Sequence, residues 1–460
     1  MHSLVSIVSG ILTAAAFSGE KCSVFVFVSL VPLFVVGKRR QMAKNVALFA
    51  FSYYVILMLW LYRLTAMASP IWLTVGIVVI GLSMAFLYWL PFHVFKPKGI
   101  LEIIAVFTLA DMMPSFLGPL SFPWGRLGVI LTPNPELIQI ASMAGAVGVT
   151  AMIVAVNVLL AKAVRGWQPK YLLIAVFIVC GNYIYGSMVL KNPIEQRNAL
   201  RVSAIQGGIG SMGKWQATTD ETLERYFSLC EEALVQGGEL LILPETAFPM
   251  TLKGEVLDRL LEFSSANQGE MIVGGFFREE DGRLYNSLVN LRNGTRYHKQ
   301  KLVPYGEFAP FARFFGHTNN LSFGEEILLI QTEVATVGAM ICYDSIFSPI
   351  MRQSVKDGAS LLVVSSNDSW FEHTPALYQH HAHGIMRAVE SHRYLVRSAN
   401  TGITSVIDPY GRVVDTYPPY SSGVLTADVY LQENITPYVK FGDWVVYLAL
   451  GYLLFRRLHA

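Results

Sequence analysis

Long apolar stretches recur along the first 190 residues and then stop. Asn45–Tyr62, Pro70–Phe95, Leu137–Ala161 and Tyr171–Leu190 carry no charge, and each approaches or exceeds the roughly 20 residues that cross a bilayer as a helix. Met1–Gly19 and Cys22–Gly37 are shorter but equally apolar, while Gly99–Leu120 is interrupted by Glu102 and Asp111. The pattern predicts about seven transmembrane helices within residues 1–190 and one more at 443–456. Between them the periodicity changes to short apolar runs broken by Gly, Pro and Asn. Arg201–Gln206, Glu239–Pro244, Met271–Gly274, Thr332–Cys342, Ser360–Val364 and Tyr394–Ser398 read as strands. Helices are predicted over Thr219–Gln236, Val256–Asn267, Ile346–Lys356 and Pro375–Ser391. The first of these shows an apolar stripe of Leu223, Tyr226, Phe227, Leu229, Ala233 and Leu234. Alternating strands and helices over 197–435 imply a layered α/β domain large enough for its own core.

Composition supports the division. Hydrophobic residues make up 53% of the chain and charged residues only 15%, against about 25% in soluble proteins. Residues 1–190 hold 12 Lys and Arg against 4 Asp and Glu, and the remainder holds 23 against 29. The basic residues fall in loops: Lys38, Arg39, Arg40 and Lys44; Lys96 and Lys98; Lys162, Arg165 and Lys170; then Arg456 and Arg457. With eight spans these clusters share one side, which the positive-inside rule makes cytoplasmic. Both termini are then cytoplasmic, and the α/β domain faces out of the cytoplasm. The N-terminus does not read as a signal peptide, because no Lys or Arg precedes its apolar run. One span would suffice as an anchor, so seven imply a cavity or a lipid-access route. Asp111, a carboxylate inside a span, is a candidate on that ground, unless it sits near an interface.

Three places put reactive groups at strand ends. Glu245 follows an apolar strand and a proline in Leu243-Pro-Glu-Thr-Ala-Phe-Pro249, and reduced solvation would suit it to general-base work. A helix cap or an ion pair is the plainer reading. In Tyr297-His-Lys-Gln-Lys-Leu-Val-Pro-Tyr-Gly-Glu307, Lys299 and Lys301 would share one face of a strand, so periodicity does not choose between them. Either would stabilise an oxyanion, or simply sit in water on an edge strand. Cys342 ends a strand and precedes a helix, where the helix N-terminus and a nearby lysine would lower its thiol pKa. Buried cysteines are also common inert filler. The four cysteines, Cys22, Cys180, Cys230 and Cys342, form neither a disulfide framework nor a metal motif.

The order Glu, Lys, Cys resembles the nitrilase, or carbon-nitrogen hydrolase, superfamily, whose α-β-β-α sandwich carries such a triad. That family's Tyr-x-Lys-x-x-Leu pattern falls on Tyr297, Lys299 and Leu302, which implies Lys299 rather than Lys301. Joined to a multi-span frame, the chain resembles the apolipoprotein N-acyltransferase family. The supporting motifs are Phe122-Pro-Trp124, Gln139–Ser142, Gln206-Gly207 with Lys214-Trp215, Leu302–Pro310, Asn367-Asp-Ser-Trp-Phe371 and Asn400–Ile403. Three features depart from its pattern: Gly208 replaces the usual Asn, Asp344 replaces the usual Glu, and Tyr378–His383 is unusually rich in histidine.

The resemblance implies Cys342 as nucleophile, Glu245 as proton acceptor, Lys299 as oxyanion stabiliser and Glu307 as a supporting residue. It marks Trp215, Tyr343 and Asp344 as substrate-binding. The donor would be a phospholipid and the acceptor a diacylated apolipoprotein. The enzyme would act as a monomer in a bacterial inner membrane, with no metal or other cofactor. Phe308, Phe311, Phe314 and Phe315 around Arg313 read either as an arm dipping into the bilayer or as a small core under a loop. His380, His381 and His383 read as a packed helix face, without the acidic partners a metal site would need. No phosphate loop or nucleic-acid face is present. The alternatives are a membrane-anchored amidase with the same triad, and an inactive scaffold, which would not need all three triad residues.

Overall fold

The computed structural model describes residues 2–36, 41–66, 68–196, 198–210, 218–310 and 321–459. They fall into two units: residues 1–192, 373–382 and 441–460 form one, and residues 193–372 and 383–440 the other.

In the first unit, among the described residues, four helical segments are long and apolar enough to cross a membrane. They are Met42–Thr65, Pro70–Phe95, Ala141–Gly166 and Pro169–Val189. Two expected spans differ from their prediction. Cys22–Gly37 is not one helix but a 3-10 segment, Glu20–Phe25, followed by short helices Val26–Ser29 and Val31–Val36. Pro32 lacks the N–H that would bond the Val28 carbonyl, and a distant side chain opens another rung of the ladder. The Asn157 carboxamide accepts the Leu30 N–H at 2.9 Å and donates to the Val26 carbonyl at 2.9 Å, standing where those two groups would have met each other. The Gly99–Leu120 run is helical only over Ile100–Met112, about 20 Å long at 1.5 Å per residue. It gives way to 3-10 turns at Pro114 and Pro119.

Asp111, in the last turn of that helix, is fully taken up. Its carboxylate accepts from Tyr88 Oη and Thr150 Oγ1, each at 2.9 Å, and from the Leu127 N–H at 3.4 Å. The carboxylate thereby pins the loop after Phe122-Pro-Trp124. At the other end of the same helix, Glu102 accepts the Lys98 N–H at 2.6 Å and pairs with Arg456 at 3.1 Å. Trp444 Nε1 reaches the Met143 carbonyl at 2.8 Å, so the Trp444–Leu458 helix starts beside the start of Ala141–Gly166.

The second unit contains strands β1 Ala199–Gln206, β2 Leu240–Ile242, β3 Phe248–Thr251, β4 Glu270–Arg278, β5 Leu284–Asn290, β6 Arg296–His298, β7 Ile330–Gln331, β8 Thr336–Ile341, β9 Leu361–Ser366, β10 Leu395–Ala399, β11 Thr404–Ile407, β12 Val413–Tyr417 and β13 Gly423–Tyr430. One sheet runs β13-β1-β2-β4-β5-β6 with β3 beside β4, and the other runs β12-β11-β10-β9-β8-β7. Their inner faces are joined by buried side-chain hydrogen bonds. Ser365 donates to the Leu243 carbonyl at 2.7 Å, Ser398 to the Ile205 carbonyl at 2.8 Å, and Thr404 to Gln206 Oε1 at 2.6 Å. Helices Thr219–Val235 and Gly254–Ala266 bury Leu223, Tyr226 and Leu260 against β1, β2 and β4. Each large apolar side chain buried this way contributes roughly 1.5–3 kcal/mol. On the other sheet, Gly338 of β8 lies close under Ser354 of helix Ser348–Lys356, and Gly384 of helix Pro375–Ser391 faces Leu395 and Ile407. The result is an α-β-β-α sandwich.

The predicted strand Thr332–Cys342 opens in a turn and is extended only over Thr336–Ile341. Thr332 closes a turn on the Ala335 carbonyl between β7 and β8.

Candidate active site

Glu245 lies just beyond β2, where Pro244 fixes the backbone and Thr246 turns it with a φ of 46°. The carboxylate is buried. Oε2 accepts the Asn367 N–H at 2.9 Å, and Oε1 accepts Asn286 Nδ2 and Lys299 Nζ, each at 2.8 Å.

Lys299 is also buried, and its N–H is held by the Asn286 carbonyl at 2.9 Å. Its ammonium bridges Glu245 and Glu307, 2.8 and 2.7 Å away. Burial opposes the charge, but the two carboxylates, with Cys342, hold the lysine well above its ordinary pKa. β6 ends at His298, so strand alternation does not apply to the two lysines. The chain turns after Lys299, and the Lys301 ammonium lies 5.4 Å from the centre of the Phe347 ring instead.

Cys342 begins a five-residue 3-10 turn, Cys342–Ile346, at the end of β8, and its φ is 50°. A left-handed non-glycine residue costs of order 1–3 kcal/mol and lifts its side chain out of the strand. The half-buried thiol is pushed up from its ordinary pKa by burial and then by Glu245, with Lys299 opposing. The expected lowering of the thiol pKa is therefore corrected. One short turn supplies little dipole, and Lys299 already spends its charge on two carboxylates.

The carbon-nitrogen hydrolase family model matches residues 201–435, and the apolipoprotein N-acyltransferase N-terminal domain model matches residues 9–159. A Thermotoga maritima protein named apolipoprotein N-acyltransferase is 30% identical, over 97% of this chain and 91% of its own. The chain belongs to the apolipoprotein N-acyltransferase family. Relatives with the same name from Gloeobacter violaceus and Geobacter metallireducens are 34% and 29% identical, covering 73% and 96% of this chain and 67% and 91% of their own.

The departures from the pattern of apolipoprotein N-acyltransferases have local reasons. Asp344 is fully buried. Its Oδ1 accepts the Lys301 N–H at 2.7 Å, and its Oδ2 accepts Tyr297 Oη at 2.8 Å, the Ile341 N–H at 3.1 Å and the Gln300 N–H at 3.4 Å. It ties the lysine loop to the cysteine strand. Burial pushes its pKa up to about 6, against Lys299 and these donors. Gly208 has a φ of 64°, and a Cβ there would stand 2.6 Å from the Ser421 carbonyl oxygen.

Of the other expected site residues, Glu307 closes its own loop, accepting the Val303 N–H at 2.8 Å besides meeting Lys299. Tyr343 is buried edge-on to Phe347 at 5.2 Å. Trp215 lies outside the described residues, as do Lys38, Arg39, Arg40, Lys214, Phe311, Arg313, Phe314 and Phe315, while Phe308 packs edge-on against Phe323. His380, His381 and His383 are buried on helix Pro375–Ser391, and His380 stacks 5.7 Å from Trp124. Sequence reasoning missed Asn286, which donates to Glu245 and to Glu307 at 3.2 Å. Its only signal is a carboxamide in the middle of an otherwise ordinary strand.

Proposed function

We propose that this protein is an apolipoprotein N-acyltransferase that moves an acyl chain from a phospholipid to the α-amine of a lipoprotein's N-terminal diacylglyceryl-cysteine. The observation that carries this is the buried Lys299 ammonium between Glu245 and Glu307 beside Cys342, in a chain whose other half matches the acyltransferase N-terminal domain. In the first stage the Cys342 sulfur attacks the ester carbonyl. Glu245 takes the thiol proton and gives it to the departing lysophospholipid oxygen. Lys299 Nζ and the backbone N–H of Tyr343 stabilise the oxyanion. In the second stage the lipoprotein amine attacks the thioester, and its proton passes through Glu245 to the released sulfur. An α-amine has a pKa of about 8, so a usable neutral fraction exists near pH 7. The raised thiol pKa fits proton removal during attack rather than a standing thiolate. Glu307 holds Lys299, Asp344 braces the lysine loop, and Trp215 and Tyr343 contact substrate.

We further assign the first unit eight spans, with helix His2–Ala16, the two short segments 20–36 and 100–112 and the terminal helix completing the four long ones. The catalytic domain then lies outside the cytoplasm of a bacterial inner membrane, with both termini inside. Arg456 pairing with Glu102 beside Lys98 supports this, since it gathers two basic loops at one end of the unit.

The test is intact mass spectrometry of the purified protein with phospholipid, followed by a diacylated lipopeptide. An acyl adduct on Cys342, discharged to the lipopeptide, is expected. An adduct that only water discharges would favour an amidase-like hydrolase. A Cys342→Ala variant that still transfers acyl groups would overturn the mechanism.

A further inference from the structure

Cys342 has polar neighbours besides the Glu–Lys pair. Parallel pairing of β8 with β9 ends with Ile341 against Ser365, and Cys342 and Ser366 are the residues that come next on the two strands. The Ser366 hydroxyl is near enough to draw the Cys342 thiol pKa down against burial, and an Asp368 carboxylate oxygen lies within 4.8 Å of that sulfur. Ser366 Oγ donates to Asp368 Oδ1 at 2.6 Å, and Arg397 Nη2 donates to Asp368 Oδ2 at 2.6 Å. Ser366, Asp368 and Arg397 are all buried. Only glycine fits beside this carboxylate at position 402, since a Cβ there would stand 2.1 Å from Asp368 Oδ2. That approach gives the Asn400-Thr-Gly402 motif a physical reason.

A serine hydroxyl has one proton to give. While that proton points at Asp368, Ser366 offers the cysteine only a lone pair, which suits an S–H donor. Once the sulfur is ionised it can only accept, and the hydroxyl can satisfy it by rotating about one bond. Asp368 would then lose one partner but keep Arg397, so no buried charge is left unpaired.

We propose that Ser366 is a catalytic hydroxyl that turns from Asp368 to the Cys342 sulfur as the thiolate forms, with Asp368 and Arg397 as its positioning pair. The thiol proton leaves to Glu245; Ser366 keeps its own proton, and no covalent bond to it is made or broken. This rests on the reading of Cys342 as the nucleophile, and adds to the triad a further donor to the sulfur.

The experiment is the pH profile of iodoacetamide alkylation at Cys342 in the full-length detergent-solubilised protein, read by peptide mass spectrometry. Ser366→Ala shifts the profile to higher pH and lowers reactivity at neutral pH by roughly 10- to 100-fold, the range for a hydrogen bond to a charged group. Ser366→Thr, which keeps the hydroxyl, restores it. Asp368→Asn moves the profile the other way, because a repelling charge is gone and the serine proton is less strongly held. An unchanged profile in Ser366→Ala, or a shift in the same direction for both variants, overturns the proposal. Should Asp368→Asn not fold, the alanine and threonine pair decides alone. Alkylation does not require acyl transfer. Shifted profiles in a protein that never forms an acyl adduct would sink the acyltransferase reading and leave the serine's role standing.

Discussion

Glu307 Oε1 stands 2.7 Å from Lys299 Nζ, as close as the 2.8 Å contact that Glu245 makes with the same ammonium. One buried cation thus serves two carboxylates, and its field at the cysteine is divided. Glu307→Gln keeps the shape and removes one claim on that charge. Iodoacetamide reactivity of Cys342 is expected to shift to lower pH in this variant. Acyl-enzyme formation nevertheless slows at least tenfold, because Lys299 drifts toward Glu245 and away from the oxyanion. A variant with unchanged rate and unchanged alkylation profile would show that Glu307 does not share the lysine in solution.

Asn286 reaches both carboxylates through a single Nδ2. Asn286→Asp would place a third acidic group beside one lysine, and is expected to abolish thioester formation near neutral pH or to force uptake of a proton. Asn286→Ala only loosens the pair, with an expected loss of about tenfold, one to two hydrogen bonds' worth. Single-turnover rates across pH distinguish them. Equal rates for the two variants would count against the charge argument.

Asp344 gives a stability prediction with a definite sign. Its pKa rises from an ordinary 3.8 to about 6 on folding, chiefly through burial. Its contribution is therefore fully present below about pH 4, where the group is protonated folded or unfolded, and is lost as pH rises through 6. The difference is worth about 3 kcal/mol at most. Relative to Asp344→Asn, whose offset does not titrate, the native protein should lose stability between pH 4 and 6. Thermal unfolding of both proteins in detergent across that range tests this, and parallel curves would refute it.

Gly208→Ala should destabilise the α/β domain by more than about 1 kcal/mol, since the backbone is left-handed and the Ser421 carbonyl oxygen occupies the space. A melting temperature equal to that of the native protein would mean that the Ser421 turn yields.

Much of the site was legible because its residues end strands that are themselves apolar. Glu245 follows Leu240–Ile242 and Cys342 follows Thr336–Ile341, and such runs announce a buried strand and its last residue together. Lys299 was ambiguous beside Lys301 because the residue pattern does not mark where β6 stops. Asn286 and the Ser366–Asp368–Arg397 group escaped because each matters through partners from other strands, which no local pattern records. Strands β11 to β13 mix small, charged and aromatic residues and resemble loops. In the membrane unit, apolar composition marked residues 22–37 and 99–120, but not that they break. In the first of them, backbone bonds at the break are completed by Asn157, far along the chain.

The Asn157 bridge bears on how the protein is made. The Val26 carbonyl and Leu30 N–H meet a group synthesised about 130 residues later. Until that residue exists the two groups can bond to each other, as in any helical turn. The opening at Val26–Leu30 is thus a late feature of the fold, imposed when Ala141–Gly166 packs against a segment made long before it. Exchanging Asn157 for an apolar residue is expected to let that turn close.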